Sequence, residues 1–194
     1  MMNNGMLKVS MEHKGSSNEA KISINTEKFE TNSQIYKIGC FFAEFIRENN
    51  IEFDTLVGLA YHGIAFSAAT SFALFDKYAV TVNYCYDRLV PDSRQRIICG
   101  HTLRDKEKVI LVDDLIFSGH SLVERIERLK EQADIKVVAV IVIADFMSVS
   151  EGNTKTGAQI IEDKYSSKVH SLITKDDIKK AVKKGLIIGN EHII

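Results

Sequence analysis

An α/β fold, with a mostly parallel sheet flanked by helices on both faces, is predicted by three features of this sequence. Apolar runs of strand length alternate with stretches of helical spacing along the chain. The most apolar runs, Val109-Ile110-Leu111-Val112 and residues 135–144, are continuous, as strands covered on both faces are. The only proline, Pro91, lies in the most polar internal stretch and so interrupts no helix or strand.

Length and composition fit that class. The 194 residues suit one domain, 1–194, with 45% apolar and 26% charged residues. Residues 1–20 are expected to be partly disordered or to form a small hood. Lys and Arg total 25 against 26 Asp and Glu, so the overall charge points to neither nucleic acid nor a membrane surface. Cys40, Cys85 and Cys99 show no metal-type spacing and read as reduced thiols. No charged-then-apolar leader opens the sequence, and no apolar run is long enough to span a bilayer. A cytoplasmic protein is expected.

The elements follow in order. Residues 21–25 read as a short strand. From Thr31, helical spacing places Ile35, Ile38, Phe42 and Phe45 on one face, and Asn49-Asn50 stops the helix. Residues 54–59 form a buried strand, residues 60–63 a turn, and residues 64–75 an alanine-rich helix able to pack closely on a sheet. Residues 79–86 alternate as a strand, and residues 87–101 form a long connection carrying several arginines. Residues 108–113 are a strand ending in two aspartates. A helix with Leu122, Ile126 and Leu129 on one face follows, its Ser121 and Glu124 spaced as a capping box. Residues 135–144 form the central strand and residues 168–173 another. The last helix has Thr174 as cap, Asp177 three residues on, Lys183-Lys184 in its last turn and Gly185 as stop. In such sheets ligands bind beyond the carboxyl ends of the strands. The loops of interest are therefore 60–63, 87–101, 113–121 and the stretch after Asp145.

The sharpest chemistry lies at the end of the strand 108–113. Asp113 and Asp114 leave the sheet beside Ser118-Gly119-His120-Ser121 at a helix start. A helix N-terminus offers unpaired N–H groups and the positive end of its dipole, so a phosphate is stabilised there. Gly119 permits close approach, and Ser118 and Ser121 add hydroxyl donors. Two carboxylates beside a phosphate would repel it unless they address something else. Ribose hydroxyls or a metal ion are the fitting targets. A solvated pair of turn carboxylates is the simpler alternative for an isolated Asp-Asp. The ordered block of apolar strand, acids, glycine and hydroxyls favours the ligand site.

That block, Val109-Ile110-Leu111-Val112-Asp113-Asp114-Leu115-Ile116-Phe117-Ser118-Gly119-His120-Ser121, resembles the phosphoribosyl diphosphate signature of the type I phosphoribosyltransferases. The similarity extends over nearly the whole chain and is greatest to the orotate phosphoribosyltransferases. Residues 51–64 resemble that family's strand and pyrophosphate loop, where Tyr-Lys-Gly is usual and this chain has Tyr61-His62-Gly63. Residues 168–178 resemble its last strand and helix.

The resemblance implies transfer of ribose 5-phosphate from phosphoribosyl diphosphate to a ring nitrogen of a nucleobase, orotate first, with release of pyrophosphate. It implies Mg²⁺ held mainly by the substrate, and a homodimer with shared active sites. Asp113 and Asp114 would hold the ribose hydroxyls and stabilise an oxocarbenium-like transition state. The segment Leu115, Ile116, Phe117, Ser118, Gly119, His120 and Ser121 would clamp the 5-phosphate, and Tyr61 and His62 would contact pyrophosphate. No metal ligand set is expected from side chains.

The sequence departs from the family at two places. The family's mobile loop follows an Arg-Lys-Glu-x-Lys-x-His-Gly-Glu pattern; residues 86–97 here keep its arginine as Arg88 but lack both lysines and the histidine. Arg94 or Arg96 either supplies charge from another geometry or lies on a solvated loop. Arginine does not replace lysine as a mobile point charge. After the central strand the family has Asp-Arg, its arginine pairing with the base carboxylate; this chain has Asp145-Phe146. Phe146 stacks on a ring or fills core, and Phe117 replaces a usual threonine. These departures keep two alternatives open: transfer to a different base, and a non-catalytic nucleotide-binding regulator. Lys14 falls near the family's N-terminal substrate-contacting lysine, with a surface lysine the simpler reading. No Walker-type loop, Gly-x-Gly-x-x-Gly or zinc-spaced Cys/His set points to another class.

Overall fold

The computed structural model describes residues 7–14, 17–149, 152 and 154–184. Strands β1 (Leu7–Lys14) and β2 (Ser17–Ile24) pair antiparallel as a separate hairpin, wider than the short strand expected at 21–25. A 3₁₀ turn at Thr26–Lys28 leads to α1 (Asn32–Glu48). Thr31 caps α1 by accepting from the Gln34 N–H while the Gln34 side chain returns to the cap backbone, a full capping box. The helix ends at Asn49, and Asn50 turns with a positive φ of 49°, as the Asn-Asn pair predicts.

The main sheet has seven strands. They are β3 (Thr55–Gly58), β4 (Asn83–Asp87), β5 (Ile98–Gly100), β6 (Lys108–Val112), β7 (Leu115–Ile116), β8 (Lys136–Asp145) and β9 (Lys168–Thr174). Their order runs β5-β4-β3-β6-β8, and all pairings are parallel except β4 with β5. Both β6 and β7 lie along one edge of β8 while β9 takes the other. Helices α2 (His62–Tyr78), α3 (His120–Lys130), α4 (Gly157–Tyr165) and α5 (Lys175–Lys183) complete the fold.

Alternate residues of each buried strand face opposite sides, so the sheet carries two cores. Leu56, Ile110, Val112, Ile141 and Ile143 meet α1 and α2 through Phe42, Ile46, Phe66 and Leu74. Val57, Leu111, Val140 and Val142 meet α3 and α4 through Leu122, Ile126, Leu129 and Ile161. The expected sheet with helices on both faces is what forms. No helix among the described residues is long and apolar enough to cross a membrane.

Three expectations change. The strand expected from Ala79 starts only at Asn83, because Ala79 caps α2 in a left-handed conformation (φ 54°), its N–H bonded to the Phe75 carbonyl. Helix α2 begins at His62 rather than Ile64. Ser121 caps nothing: α3 starts at His120 behind Gly119, which has a positive φ of 78°, and no side chain caps it. Gly119 turns the chain straight into the helix, so Ser121 already sits inside it. At the far end Thr174 is the cap as expected, and with Asp177 it forms a full capping box, while Gly185 lies outside the described residues.

Candidate active site

The parallel strands deliver all four predicted loops to one end of the sheet. Strand β6 is buried throughout Val109–Val112 and carries Asp113 and Asp114 past its end. The Asp113 N–H donates to the Ile141 carbonyl (3.1 Å), and the Asp114 carbonyl accepts from the N–H groups of Ile143 and Ala144 (2.8 and 3.2 Å). The acid pair is thus pinned to β8 before the chain continues as β7. Side chains close the corner: Asp113 Oδ1 accepts from the Asp114 N–H (2.9 Å), and Asp114 Oδ1 from the Leu115 N–H (2.8 Å). Asp114 Oδ2 accepts from the Thr26 hydroxyl (2.5 Å) and lies 3.0 Å from His62 Nδ1.

The two acids are therefore not equivalent. Asp114 is fully engaged. Burial, reinforced by the neighbouring Asp114 charge, pushes the Asp113 carboxyl up from 3.8 to about 7. A folded-state value above the unfolded one stabilises the fold at low pH, and that contribution is lost as pH rises through about 7. The ligand-free protein is expected to melt at lower temperature at roughly pH 8 than at roughly pH 5, and Asp113→Asn to flatten that slope. A melting series showing equal slopes would contradict the assignment.

The turn from Leu115 to Ser121 wraps beside the acids. A Cβ on Gly119 would stand 2.9 Å from the Gly157 backbone, and one on Gly157 would stand 2.6 Å from the Gly119 nitrogen. Two glycines thus let the start of α4 press directly on the turn at residues 117–119. The sequence reading missed Gly157 and α4, although Thr156 and Gln159 form a capping box there, which was the available signal. The first N–H groups of α3 face the turn without a side-chain cap. His120 Nδ1 lies 3.0 Å from Ser118 Oγ, and Ser121 is exposed. The Phe117 and Phe146 rings stack, with centroids 4.3 Å apart and planes 14° from parallel. Phe146 is 5% exposed and Phe117 50%, so the stack offers its open face to solvent.

His62 reaches Asp114 because α2 starts very close to β6, while the Tyr61 side chain is exposed. A Cβ on Gly63 would overlap the Val112 carbonyl oxygen and stand 3.1 Å from Asp113 Cα. The Ala60-Tyr61 peptide bond is cis. Ala60 is held at both ends: its N–H donates to Asp87 Oδ1 (2.7 Å) and its carbonyl accepts from Arg125 Nη1. The sequence reading did not single out Asp87 or Arg125. The available signal was Arg125 on the apolar stripe of α3, between Leu122 and Leu129.

A family model described as a phosphoribosyl transferase domain matches residues 25–183. The chain belongs to that family. Orotate phosphoribosyltransferase of Clostridium beijerinckii is 35% identical over 158 residues, 80% of this chain and 70% of that protein. The protein of the same name from Clostridium botulinum strain Eklund 17B is 32% identical over 160 residues, 81% of this chain and 71% of its own. The crystal structure of Francisella tularensis orotate phosphoribosyltransferase matches with a TM-score of 0.78 at 24% identity, covering 94% of this chain and 87% of that one. The Mycobacterium tuberculosis enzyme in complex with 5-phospho-α-D-ribosyl 1-diphosphate matches with a TM-score of 0.61 at 15% identity, covering 80% and 82%. At such identities the structural matches carry the fold, which is that of the type I phosphoribosyltransferases. Family and relatives together place the chain among the glycosyl-transferring enzymes.

Within this phosphoribosyltransferase fold the arginine loop stands apart from the acid pair. Arg88 Nη1 lies 3.8 Å from Asp92 Oδ2, and its N–H donates to the Ile97 carbonyl (2.8 Å). Asp92 organises the loop, accepting from the Arg94 and Arg96 N–H groups (2.9 Å each) and from Arg96 Nε (2.9 Å). The Arg96 side chain holds the Asp92 carboxyl down at about 2. Among the described residues no ion pair joins Arg88, Arg94 or Arg96 to Asp113 or Asp114. His101 lies 2.8 Å from Glu107 Oε1 at the opposite end of the strands, where Glu107 also accepts from Thr55 and from the Arg104 N–H. That cluster pins a loop. Lys14 is the last residue of β1. No group of three or more His, Cys, Asp or Glu among the described residues could hold a metal ion.

Proposed function

We propose that this chain transfers ribose 5-phosphate from phosphoribosyl diphosphate to orotate, releasing pyrophosphate, as a step of pyrimidine nucleotide synthesis in the cytoplasm. The observation that carries the reading is the juxtaposition of the Asp113–Asp114 pair, the uncapped start of α3 and the Tyr61-His62 loop at one sheet end. The bond from ribose C1 to the diphosphate oxygen breaks, its electron pair leaving with the diphosphate, and a bond from C1 to the base nitrogen forms as that nitrogen's proton passes to the departing diphosphate or to water. Positive charge develops on the ribose and negative charge on the leaving group. Asp113 accepts from a ribose hydroxyl and, with Asp114, stabilises the developing cation. The amides of residues 117–121 hold the 5-phosphate, so the sugar is fixed before bond cleavage. His62 and the backbone at Tyr61 address the pyrophosphate.

Mg²⁺ fits this arrangement as an ion arriving on the diphosphate oxygens. Both Asp114 oxygens already accept hydrogen bonds, which leaves Asp113 as the carboxylate to assist. Bound there, the ion would neutralise charge on the leaving group.

Arg88 is the loop cation assigned to the leaving group, reached when the loop closes over the site. Arg88→Ala is expected to weaken pyrophosphate-competed binding of phosphoribosyl diphosphate more than Arg94→Ala, measured by titration calorimetry. The reverse ranking would reject the assignment of Arg88 to the family arginine.

A homodimer is also part of the proposal. Ala65, Ala68, Phe72 and Phe75 recur at helical spacing on one outer stripe of α2, and Phe72 and Phe75 are 68% and 66% exposed. Sedimentation is expected to show a dimer for the wild-type chain and a monomer for Phe72→Glu. A wild-type monomer, or an unchanged variant, would contradict this interface.

One observation favours a second reading. The Phe117–Phe146 stack stands where the resemblance has a threonine and an arginine, and it offers an aromatic face without a guanidinium. A base lacking a carboxylate finds better company there. Pyrophosphate release measured with a panel of bases tests both. Turnover with orotate supports the first reading, and turnover only with uncharged bases supports the second.

A further inference from the structure

A buried ion pair lies outside the acid pair and the phosphate turn. Asp87 ends β4, and Arg125 lies in the middle of α3; both are buried. Arg125 Nε donates to Asp87 Oδ2 at 2.9 Å, Nη2 donates to Asp87 Oδ1, and Nη1 donates to the Ala60 carbonyl. Asp87 Oδ1 also accepts the Ala60 N–H at 2.7 Å. The pair thus grips both backbone polar groups of the residue immediately before Tyr61.

Stability alone is a poor account of that geometry. An isolated buried ion pair is often matched or exceeded by apolar side chains of similar volume. This one joins three segments: the loop that presents Tyr61 and His62, the root of the loop that carries Arg88, and the helix whose first turn faces the phosphate turn. Arg128, three residues after Arg125 on α3, adds bonds to the Arg88 and Leu89 carbonyls at 3.3 Å each. Both loops assigned to the leaving group are therefore referenced to α3. The planar, multi-donor guanidinium meets a carboxylate and a carbonyl at once, which a lysine cannot reproduce.

We propose that Asp87 and Arg125 are positioning residues for the diphosphate half of the substrate, fixing the Ala60-Tyr61-His62 backbone at the spacing from the phosphate turn that phosphoribosyl diphosphate requires. The proposal rests on the phosphoribosyl diphosphate reading given above. Neither side chain touches the reacting atoms. Their effect passes through Ala60.

Titration calorimetry with pyrophosphate plus Mg²⁺, and separately with ribose 5-phosphate, tests this on the full chain. Arg125→Lys is expected to weaken pyrophosphate about tenfold or more while ribose 5-phosphate binding stays within about twofold. In turnover assays, KM for phosphoribosyl diphosphate is expected to rise. The paired exchange Asp87→Leu with Arg125→Met keeps the interior apolar and filled, so it reports on positioning even where a single substitution fails to fold. It is expected to fold and to show the same selective loss of pyrophosphate. Equal weakening of both ligands, or unchanged pyrophosphate affinity in the folded double variant, would overturn the proposal. A wild-type chain that binds neither ligand would overturn the underlying reading and this proposal together. A wild-type chain that binds both, with variants that bind equally well, would overturn this proposal alone.

Discussion

Asp113→Asn combined with Asp114→Asn is expected to lower kcat/KM for phosphoribosyl diphosphate on the order of a thousandfold, because removing a single preorganised charge-stabilising contact already costs about 10²–10³. The effect falls on the transition state. Asparagine at 114 still accepts from the Leu115 N–H through Oδ1, and its Nδ2 in place of Oδ2 donates to the Thr26 hydroxyl oxygen, so the corner that Asp114 makes at the end of β6 is retained. It loses the negative charge that opposes the developing cation. The expected signature is a fall in kcat with a smaller change in substrate affinity. Unchanged turnover in the double variant would show that the pair does not act on the ribose.

Gly63→Ala is expected to have the largest effect on the fold near the site. The added methyl group would overlap the Val112 carbonyl oxygen, a backbone atom that β6 and its neighbours hold in place. Overpacking against a fixed backbone reaches the upper end of the usual range, about 3 kcal/mol, which for a chain of this length corresponds to a fall in Tm of roughly 6–12 °C. The helix can relieve the overlap only by moving away from β6. That motion carries His62 away from Asp114, which it now meets at 3.0 Å. Thermal melting and phosphoribosyl diphosphate binding should therefore fail together. A variant that melts like the wild type would show that α2 can shift freely, and that the close approach is not what sets the loop.

The parts of the fold that were legible in the sequence are those with strong local signals. The run 109–112 is apolar on both sides of the pleat and ends in two acids, so the strand and the candidate site at its end come from one segment. Thr31, Asn49-Asn50 and the Thr174–Asp177 pair marked helix ends through local hydrogen bonding, which needs no tertiary context. Elements built from tertiary pairing left no such trace. Strand β5 is three residues long and exists because it pairs with β4; β7 is two residues long and exists because it pairs with β8. Val80 and Val82 alternate like a strand, yet they pack against the α1–α2 core from the connection after the left-handed cap at Ala79.

The site divides in the same way. Asp113, Asp114 and the Gly119 turn were visible because a single short segment supplies them. The grip of Asp87 and Arg125 on Ala60 joins positions far apart in the chain, and its one local sign is the charge of Arg125 on the apolar stripe of α3. Phe117 and Phe146 were each noted as departures from the family pattern, but their stacking emerges only when β8 brings their loops together. The arginine loop was assigned to the leaving group by its place in the sequence. In the structure Asp92 gathers Arg88 and Arg96 around itself, so the proposed closure of that loop would exchange the Arg88–Asp92 contact for one to the substrate.

In the proposed reading, residues 113–121 and the Tyr61-His62 loop together form a single phosphoribosyl diphosphate site. Calorimetric titration of the wild-type chain with phosphoribosyl diphosphate and Mg²⁺, repeated in the presence of pyrophosphate, tests it most directly. Saturable binding at one site per chain, weakened by pyrophosphate and by Gly119→Val in the turn, is the expected result. No binding at millimolar ligand, or binding indifferent to both pyrophosphate and the turn substitution, would contradict it.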